Sequence, residues 1–116
     1  MTKVVMLLVQ GPAQPEGDLN DRIEMRMVLT PQAQIDDAAW EAGILPWIAV
    51  RDRPGHSTGR SELVRIDRGW ALRGLGGEDE PLSSLTVHIV RPGELVVVRR
   101  PNGDELLYRI VAVEPD

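Results

Sequence analysis

Short apolar runs, each bounded by glycine, proline or polar clusters, recur along the whole chain. The run 4–9 is continuously apolar, and the run 21–29 alternates between apolar and polar side chains, which is typical of a half-buried strand. The same criteria predict further strands over 44–51, 62–66, 70–74, 85–90, 94–100 and 104–114. The pattern therefore predicts a mainly β fold of seven to eight antiparallel strands with one short helix, as a small barrel or a two-layer structure.

One segment departs from this pattern and predicts the helix. Thr30 is a suitable N-cap and Pro31 suits the first helical position, where a missing N–H costs nothing. An apolar stripe with helical spacing follows, formed by Ile35, Ala38, Ala39 and Ala42. We expect the helix to end at Gly43 in the left-handed conformation, because Pro46 prevents its continuation.

Two hairpins can be predicted from their turn residues. For the first, we favour a three-residue loop, Asp67-Arg68-Gly69, with a left-handed Gly69 that sets Ile66 opposite Trp70. For the second, Pro101-Asn102-Gly103 suits a type I turn followed by a glycine bulge. That loop pairs Val98 with Leu106 and Val96 with Tyr108, and it leaves the opposite face of the hairpin partly apolar.

The C-terminal hairpin also carries a turn before its first strand, since Arg91-Pro92-Gly93-Glu94 has the residue order of a type II turn. The C-terminal segment resembles the closing hairpin of Gre-type transcript cleavage factors in its turn residues and alternating valines, from Pro92-Gly93-Glu94 through Asn102-Gly103 to Tyr108, Val111 and Val113. Nothing in the sequence resembles the long coiled coil that carries the activity of that family. The resemblance therefore implies a hairpin and no function.

Composition narrows the class of protein. The chain has 116 residues, which predicts one domain over 1–116, and it has no cysteine, so thiol chemistry and disulfides are excluded. A net charge of -5 disfavours nucleic acid as a partner. The apolar run 4–9 is shorter than the core of a secretory signal and far shorter than a membrane helix, so we expect a soluble cytoplasmic protein.

The segment Gly55-His56-Ser57-Thr58-Gly59 matches the G-x-S-x-G pattern of serine hydrolases. In that family the serine lies on a tight turn from a strand into a helix, whereas here a strand is predicted to follow. Asp67 or Asp79 and then His88 would complete a triad in the hydrolase chain order. A glycine-rich surface loop explains the motif better, and we predict no catalytic residues.

The same loop could hold an anion. Guanidinium, imidazole and hydroxyl groups lie close together in the sequence, and such groups bind phosphates and carboxylates well. The candidate ligand-binding residues are Arg51, Arg53, His56, Ser57 and Arg60. The alternative is a solvated loop whose arginines pair with Asp52 and Glu62.

No residues have the spacing of a zinc or calcium site, and the acidic loop 76–81 is more simply solvated, so we expect neither metal nor cofactor. The sequence favours a small non-catalytic binding or interaction module that associates with itself or with a protein partner. Self-association would cover the second apolar face of the terminal hairpin. An anion- or nucleotide-like ligand site on the loop 51–60 is the alternative.

Overall fold

In a computed structural model, which describes residues 1–75 and 82–115, eight antiparallel strands close into one barrel. The strands follow one another in chain order, and the last pairs with the first. They are β1 (Thr2–Gln10), β2 (Asp18–Met27), β3 (Trp47–Asp52), β4 (Gly59–Ile66), β5 (Gly69–Gly74), β6 (Leu82–Thr86), β7 (Leu95–Arg99) and β8 (Glu105–Pro115). A short helix, α1 (Asp37–Ala42), lies between β2 and β3. The predicted β class is confirmed, and the barrel replaces the two-layer alternative.

The core fills the barrel interior and follows from the alternation of the strands. Inward positions of each strand are apolar over most of the barrel length, because successive side chains point to opposite faces. β1 contributes Val4, Met6 and Leu8, and β8 contributes Tyr108 and Ile110, all at most 2% exposed. The chain has no phenylalanine, so methionine, branched aliphatic residues and tryptophan fill this space.

One end of the barrel is closed by tryptophans. Trp70 stacks on Trp47 with ring centroids 6.0 Å apart, and Trp40 of α1 meets Trp70 edge to face at 5.9 Å. The indole N–H of Trp40 donates to the carbonyl oxygen of Leu63 at 3.0 Å. The hydrogen bond and the aromatic contact of Trp40 therefore both fix α1 to the closed end.

The opposite end forms a mouth, because the connections of an up-and-down barrel alternate between its two ends. The loops 11–17, 53–58 and 100–104 lie at the mouth together with the adjoining strand ends. The predicted acidic loop 76–81 lies outside the described residues. Among the described residues, no helix is long and apolar enough to cross a membrane.

The C-terminal hairpin has the predicted register. Val98 pairs with Leu106 and Val96 with Tyr108. Gly103 has φ 92°, as the glycine bulge requires. The preceding turn is also confirmed, since Gly93 has φ 96° and the N–H of Glu94 donates to the carbonyl of Arg91 at 3.2 Å.

The predicted helix is wrong in its first half. The Thr30 hydroxyl accepts hydrogen bonds from the N–H groups of Gln32 and Gln34 at 3.3 and 3.2 Å, and this closes a turn instead of starting a helix. Leu29 and Ile35 on either side form an isolated β-bridge. The helix begins only at Asp37, where the Asp36 carboxylate caps the N–H of Ala39 at 3.0 Å.

The end of the helix also differs from the prediction. Gly43 has φ -76° instead of a left-handed value, and its N–H donates to the carbonyl of Trp40. Ile44 and Leu45 are exposed, and β3 starts only at Trp47, directly after Pro46. Because Pro46 has no N–H to donate to a ladder, the strand cannot extend to residue 44 as predicted.

The hairpin between β4 and β5 has a two-residue loop, and the predicted three-residue loop is wrong. Ile66 pairs with Gly69, and Trp70 faces Arg65. This register puts Arg65 beside the tryptophans of the core. The charge is not buried, because Arg65 lies at the closed end of the barrel and pairs with Asp37 at 3.2 Å.

The strand predicted over 85–90 is displaced towards the N-terminus. β6 spans Leu82–Thr86, so His88 lies in the connection to β7 and not in a strand. The segment after Thr86 leaves the sheet because Val90 donates its N–H to the carbonyl of Ala33, at 2.7 Å. This connection therefore packs against the turn before α1, at the closed end.

Candidate ligand site at the mouth of the barrel

A buried polar network lies where the core meets the mouth. Asp21 is 4% exposed and is the only buried charged residue in the described part of the chain. Its carboxylate accepts from Nε of Arg51 at 3.1 Å and from Nη2 of Arg51 at 2.8 Å. The same carboxylate accepts from the hydroxyl of Tyr108 at 3.0 Å. Three donors therefore satisfy one carboxylate, as its burial requires.

Two members of the network, Tyr108 and Arg51, have shifted pKa values. Burial raises the pKa of Tyr108, and the negative charge and hydrogen bond of Asp21 act in the same direction against the lowering effect of Arg51. Burial works to lower the pKa of Arg51, yet its hydrogen bonds and attraction to Asp21 raise the pKa overall. The phenol of Tyr108 therefore stays protonated and the guanidinium of Arg51 stays charged over the physiological pH range.

Two further arginines lie beside this network. Arg53 continues the inward phase of β3, and Arg100 continues the inward phase of β7 at the strand end. Partial burial, together with the positive charges of Arg51 and Arg100, lowers the pKa of Arg53. We call Arg51, Arg53 and Arg100 the mouth arginines. Within residues 1–75 and 82–115, Arg53 and Arg100 have no carboxylate within ion-pair distance.

A cavity of about 310 Å³ opens at the mouth, and we call it the well. Arg51, Arg60 and Arg100 line it, and no carboxylate does so in the part of the chain that the structure describes. Its other walls are mostly apolar, with two serine hydroxyls. The residues that form them include Ile23, Ala49, Ser61, Leu72, Ser83 and Val98. An apolar hollow with a few charged groups at its opening is typical of a small-ligand site.

A smaller recess of about 170 Å³ adjoins the well. It shares Arg51 and Arg100 with the well, and Arg53 and His56 also line it. Acidic side chains reach this recess as well, among them Asp18 and Asp104. The well is therefore the more selective of the two spaces for negative charge.

The structure places the predicted ligand-binding residues unequally around these spaces. Arg51, Arg53 and His56 lie at the mouth, as described above. Arg60 borders the well, but it pairs with Val50 on the outward face of the sheet, one position before the inward Ser61. Ser57 is exposed and lines neither space.

Sequence reasoning missed Asp21, Tyr108 and Arg100. A signal for two of them was available: Asp21 has the same phase as the buried Ile23 and Met25, and Arg100 the same phase as Val98. A polar residue in phase with a buried face points into the interior. That Asp21 and Tyr108 meet across the barrel could not be read locally, because they are 87 residues apart.

The serine motif does not form a hydrolase site. Gly59 begins β4, so a strand and not a helix follows Ser57. Thr58 donates its hydroxyl to Asp52 at 2.8 Å, which holds the loop closed on itself. His88 belongs to the closed end of the barrel and Ser57 to the mouth, so the two cannot share a proton. Asp79 lies outside the described residues.

Metal coordination finds no support among the described side chains, where no three carboxylate or imidazole groups come close enough to share an ion. Comparison of the chain with protein-family models, with curated proteins and with solved structures finds no match. Any functional inference therefore rests on the geometry of the mouth.

Proposed function

We propose that this protein is a non-catalytic binding module that holds a small organic anion in the mouth of its barrel. One observation carries the proposal: arginines line the well, and no carboxylate lines it in the described chain. In a hollow with mostly apolar walls, a charge–charge hydrogen bond is stronger than in open water. The site therefore favours a ligand that brings negative charge.

The mouth arginines have different roles in the proposed binding of the anion. Arg51 is held by Asp21 through two hydrogen bonds, so it forms a fixed wall and its charge is compensated. Arg53 and Arg100 have no such partner in the described chain, and the repulsion that Arg53 experiences from Arg51 and Arg100 is relieved when an anion binds. We assign the anionic group of the ligand to the border of the two spaces, where Arg100 lines both the well and the recess and Arg53 lines the recess.

Thermal unfolding in the presence of anions tests the proposal. A ligand present at tenfold its dissociation constant stabilises the folded state by about 1.4 kcal/mol. For a chain of this length that corresponds to a melting temperature about 6 °C higher. We expect such an increase with at least one of a panel of phosphates, sulfates and organic carboxylates.

Variants with matched charge changes locate the effect. Arg53→Ala combined with Arg100→Ala should abolish the increase. Arg91→Ala combined with Arg99→Ala also removes two positive charges, from exposed side chains that pair with Glu94 at 2.8 Å and Glu105 at 3.4 Å, and this control should preserve the increase. If no anion raises the melting temperature of the native protein, or if the control has the same effect as the Arg53 and Arg100 double variant, the proposal is wrong.

We also propose that the protein self-associates through the outer face of β7 and β8. Leu95 and Val111, on these adjacent strands, are each 46% exposed. The inward face of the hairpin is covered by the barrel core, while α1 lies at the closed end and does not cover the outer face. A second copy of the chain, or a protein partner, would remove these side chains from water.

Light scattering over a range of concentrations tests self-association. Leu95→Lys combined with Val111→Lys should convert the associated form to a monomer. Leu19→Lys is the control, because Leu19 is 77% exposed at the start of β2 and far from this face. A native protein that stays monomeric at high concentration contradicts the proposal.

A further inference from the structure

The well exists because small residues occupy inward positions below the rim of the mouth on one side of the barrel. Ala49 pairs with Ser61 and Ser61 with Gly74, and Leu72 of the next layer pairs with Ser83. Across the barrel, the equivalent positions near the mouth carry Leu8 and Leu106. The missing side-chain volume on the β3–β6 side leaves the hollow open.

Polarity changes with depth in this well. Its lower wall includes Leu72 and Val98, which are at most 8% exposed, and the fully buried Leu63 closes the core beneath. The two serines lie near the opening, and Arg100 lies at the rim, where β7 ends. An inorganic anion bound at the rim would leave the apolar part of the well filled by water alone, which forms few hydrogen bonds there.

From this gradient, and on the basis of the anion site proposed above, we propose that the ligand is an amphipathic organic carboxylate. Its apolar body fills the well between β3 and β6, and its carboxylate lies at the rim, where Arg100 lines the well and Arg53 lines the adjoining recess. The volume of about 310 Å³ is at the small end of ligand pockets, so the body is a short alkyl chain or a single ring. The serine hydroxyls contact the part of the ligand next to the carboxylate.

A chain-length series tests this assignment on the native protein. Dissociation constants for acetate, butanoate, hexanoate and octanoate are measured by calorimetry, with octanol and inorganic phosphate as comparison probes. Each methylene that enters the well should strengthen binding about fourfold, until the well is full and the affinity levels off. Octanol, which has the chain without the charge, should bind at least tenfold more weakly than octanoate.

A variant that fills the well separates the two parts of the ligand. Val98→Phe adds apolar volume to the lower wall of the well, away from the rim, without changing any charge or hydroxyl group, and it should weaken octanoate binding at least tenfold while acetate binding stays within twofold. Arg100→Ala should weaken both carboxylates, with Arg99→Ala as the matched control. Because the chain-length series uses the native protein, the test does not depend on the folding of any variant.

The outcomes distinguish this inference from the proposed function. If acetate and phosphate bind as tightly as octanoate, the anion site is supported and the amphipathic ligand is wrong. If octanol equals octanoate, the well binds apolar molecules and the anion site is wrong. If none of the probes binds, both proposals are overturned.

Discussion

Asp21→Asn tests whether the buried network supports the mouth of the barrel. Asparagine has nearly the same shape as aspartate, but it carries no charge and presents an amide NH₂ group to its neighbours. In the native protein three donors point at this carboxylate, two from Arg51 and one from Tyr108. In the variant at least one donor faces another donor, and the Arg51 charge loses its partner.

The magnitude follows from the burial of the two partners. Breaking a fully buried ion pair costs about 3–5 kcal/mol. Here the Asp21 side chain is 6% exposed and that of Arg51 is 22% exposed, so the guanidinium can turn towards the water of the mouth. We therefore expect a loss of about 2–3 kcal/mol in the free energy of unfolding. In a chain of 116 residues this lowers the melting temperature by about 10 °C.

Urea denaturation followed by tryptophan fluorescence measures this loss, because Trp47 and Trp70 lie in the core at the far end of the barrel. Asp67→Asn is the matched control, since Asp67 is exposed in the β4–β5 turn and the same change should stay within about 0.5 kcal/mol. An Asp21→Asn variant within that same small range would refute the view that the network stabilises the mouth.

Three further predictions follow from local geometry. Tyr108 is the only tyrosine, and its pKa is raised in the folded state. The folded protein should therefore lose stability above about pH 10, and tyrosinate absorbance should appear only on unfolding. The Tyr108→Phe variant should lack this loss of stability. Gly17→Ala should lower the free energy of unfolding, measured by urea denaturation, by at least about 1 kcal/mol more than Gly55→Ala does. Both glycines have positive φ, but of the two only Gly17 would place a Cβ 2.7 Å from a backbone oxygen. Asp36→Ala should lower the free energy of unfolding by about 1 kcal/mol through loss of the α1 N-cap, and an unchanged melting temperature would contradict that role.

For the C-terminal hairpin, local patterns were sufficient to predict both of its strands and their register. Pro101 has no N–H for a two-residue loop, and Gly103 permits the left-handed position, so only one loop suited the flanking residues. At Thr30 the same kind of reasoning failed, because its hydroxyl can cap a helix or close a turn with equal ease. The β-bridge between Leu29 and Ile35 favours the turn over the helix. Such a bridge is a tertiary contact, and the helix propensities of single residues do not include it.

Closure of the barrel and assembly of the site lie beyond local patterns. The pairing of β1 with β8 joins the two ends of the chain, and no residue in either strand specifies its partner. The loop around Arg53 was recognised as cationic from its sequence, but the depth of the well depends on small residues contributed by several strands. The alternation of side chains along a strand remains the best local indicator of which polar residues point into the barrel. Arg100 illustrates this, because it has the same phase as the inward Val96 and Val98, which places it at the mouth.

The most direct test of the anion site is a map of amide chemical shifts in the isotope-labelled protein, recorded during titration with hexanoate and, separately, with inorganic phosphate. We predict that at least one probe shifts the signals of Ser61, Leu72, Ser83 and Arg100 in a saturable manner. Signals from the outer strand face around Leu95 should remain in place. Shifts confined to that outer face, or no saturable shift with either probe, would contradict binding at the mouth.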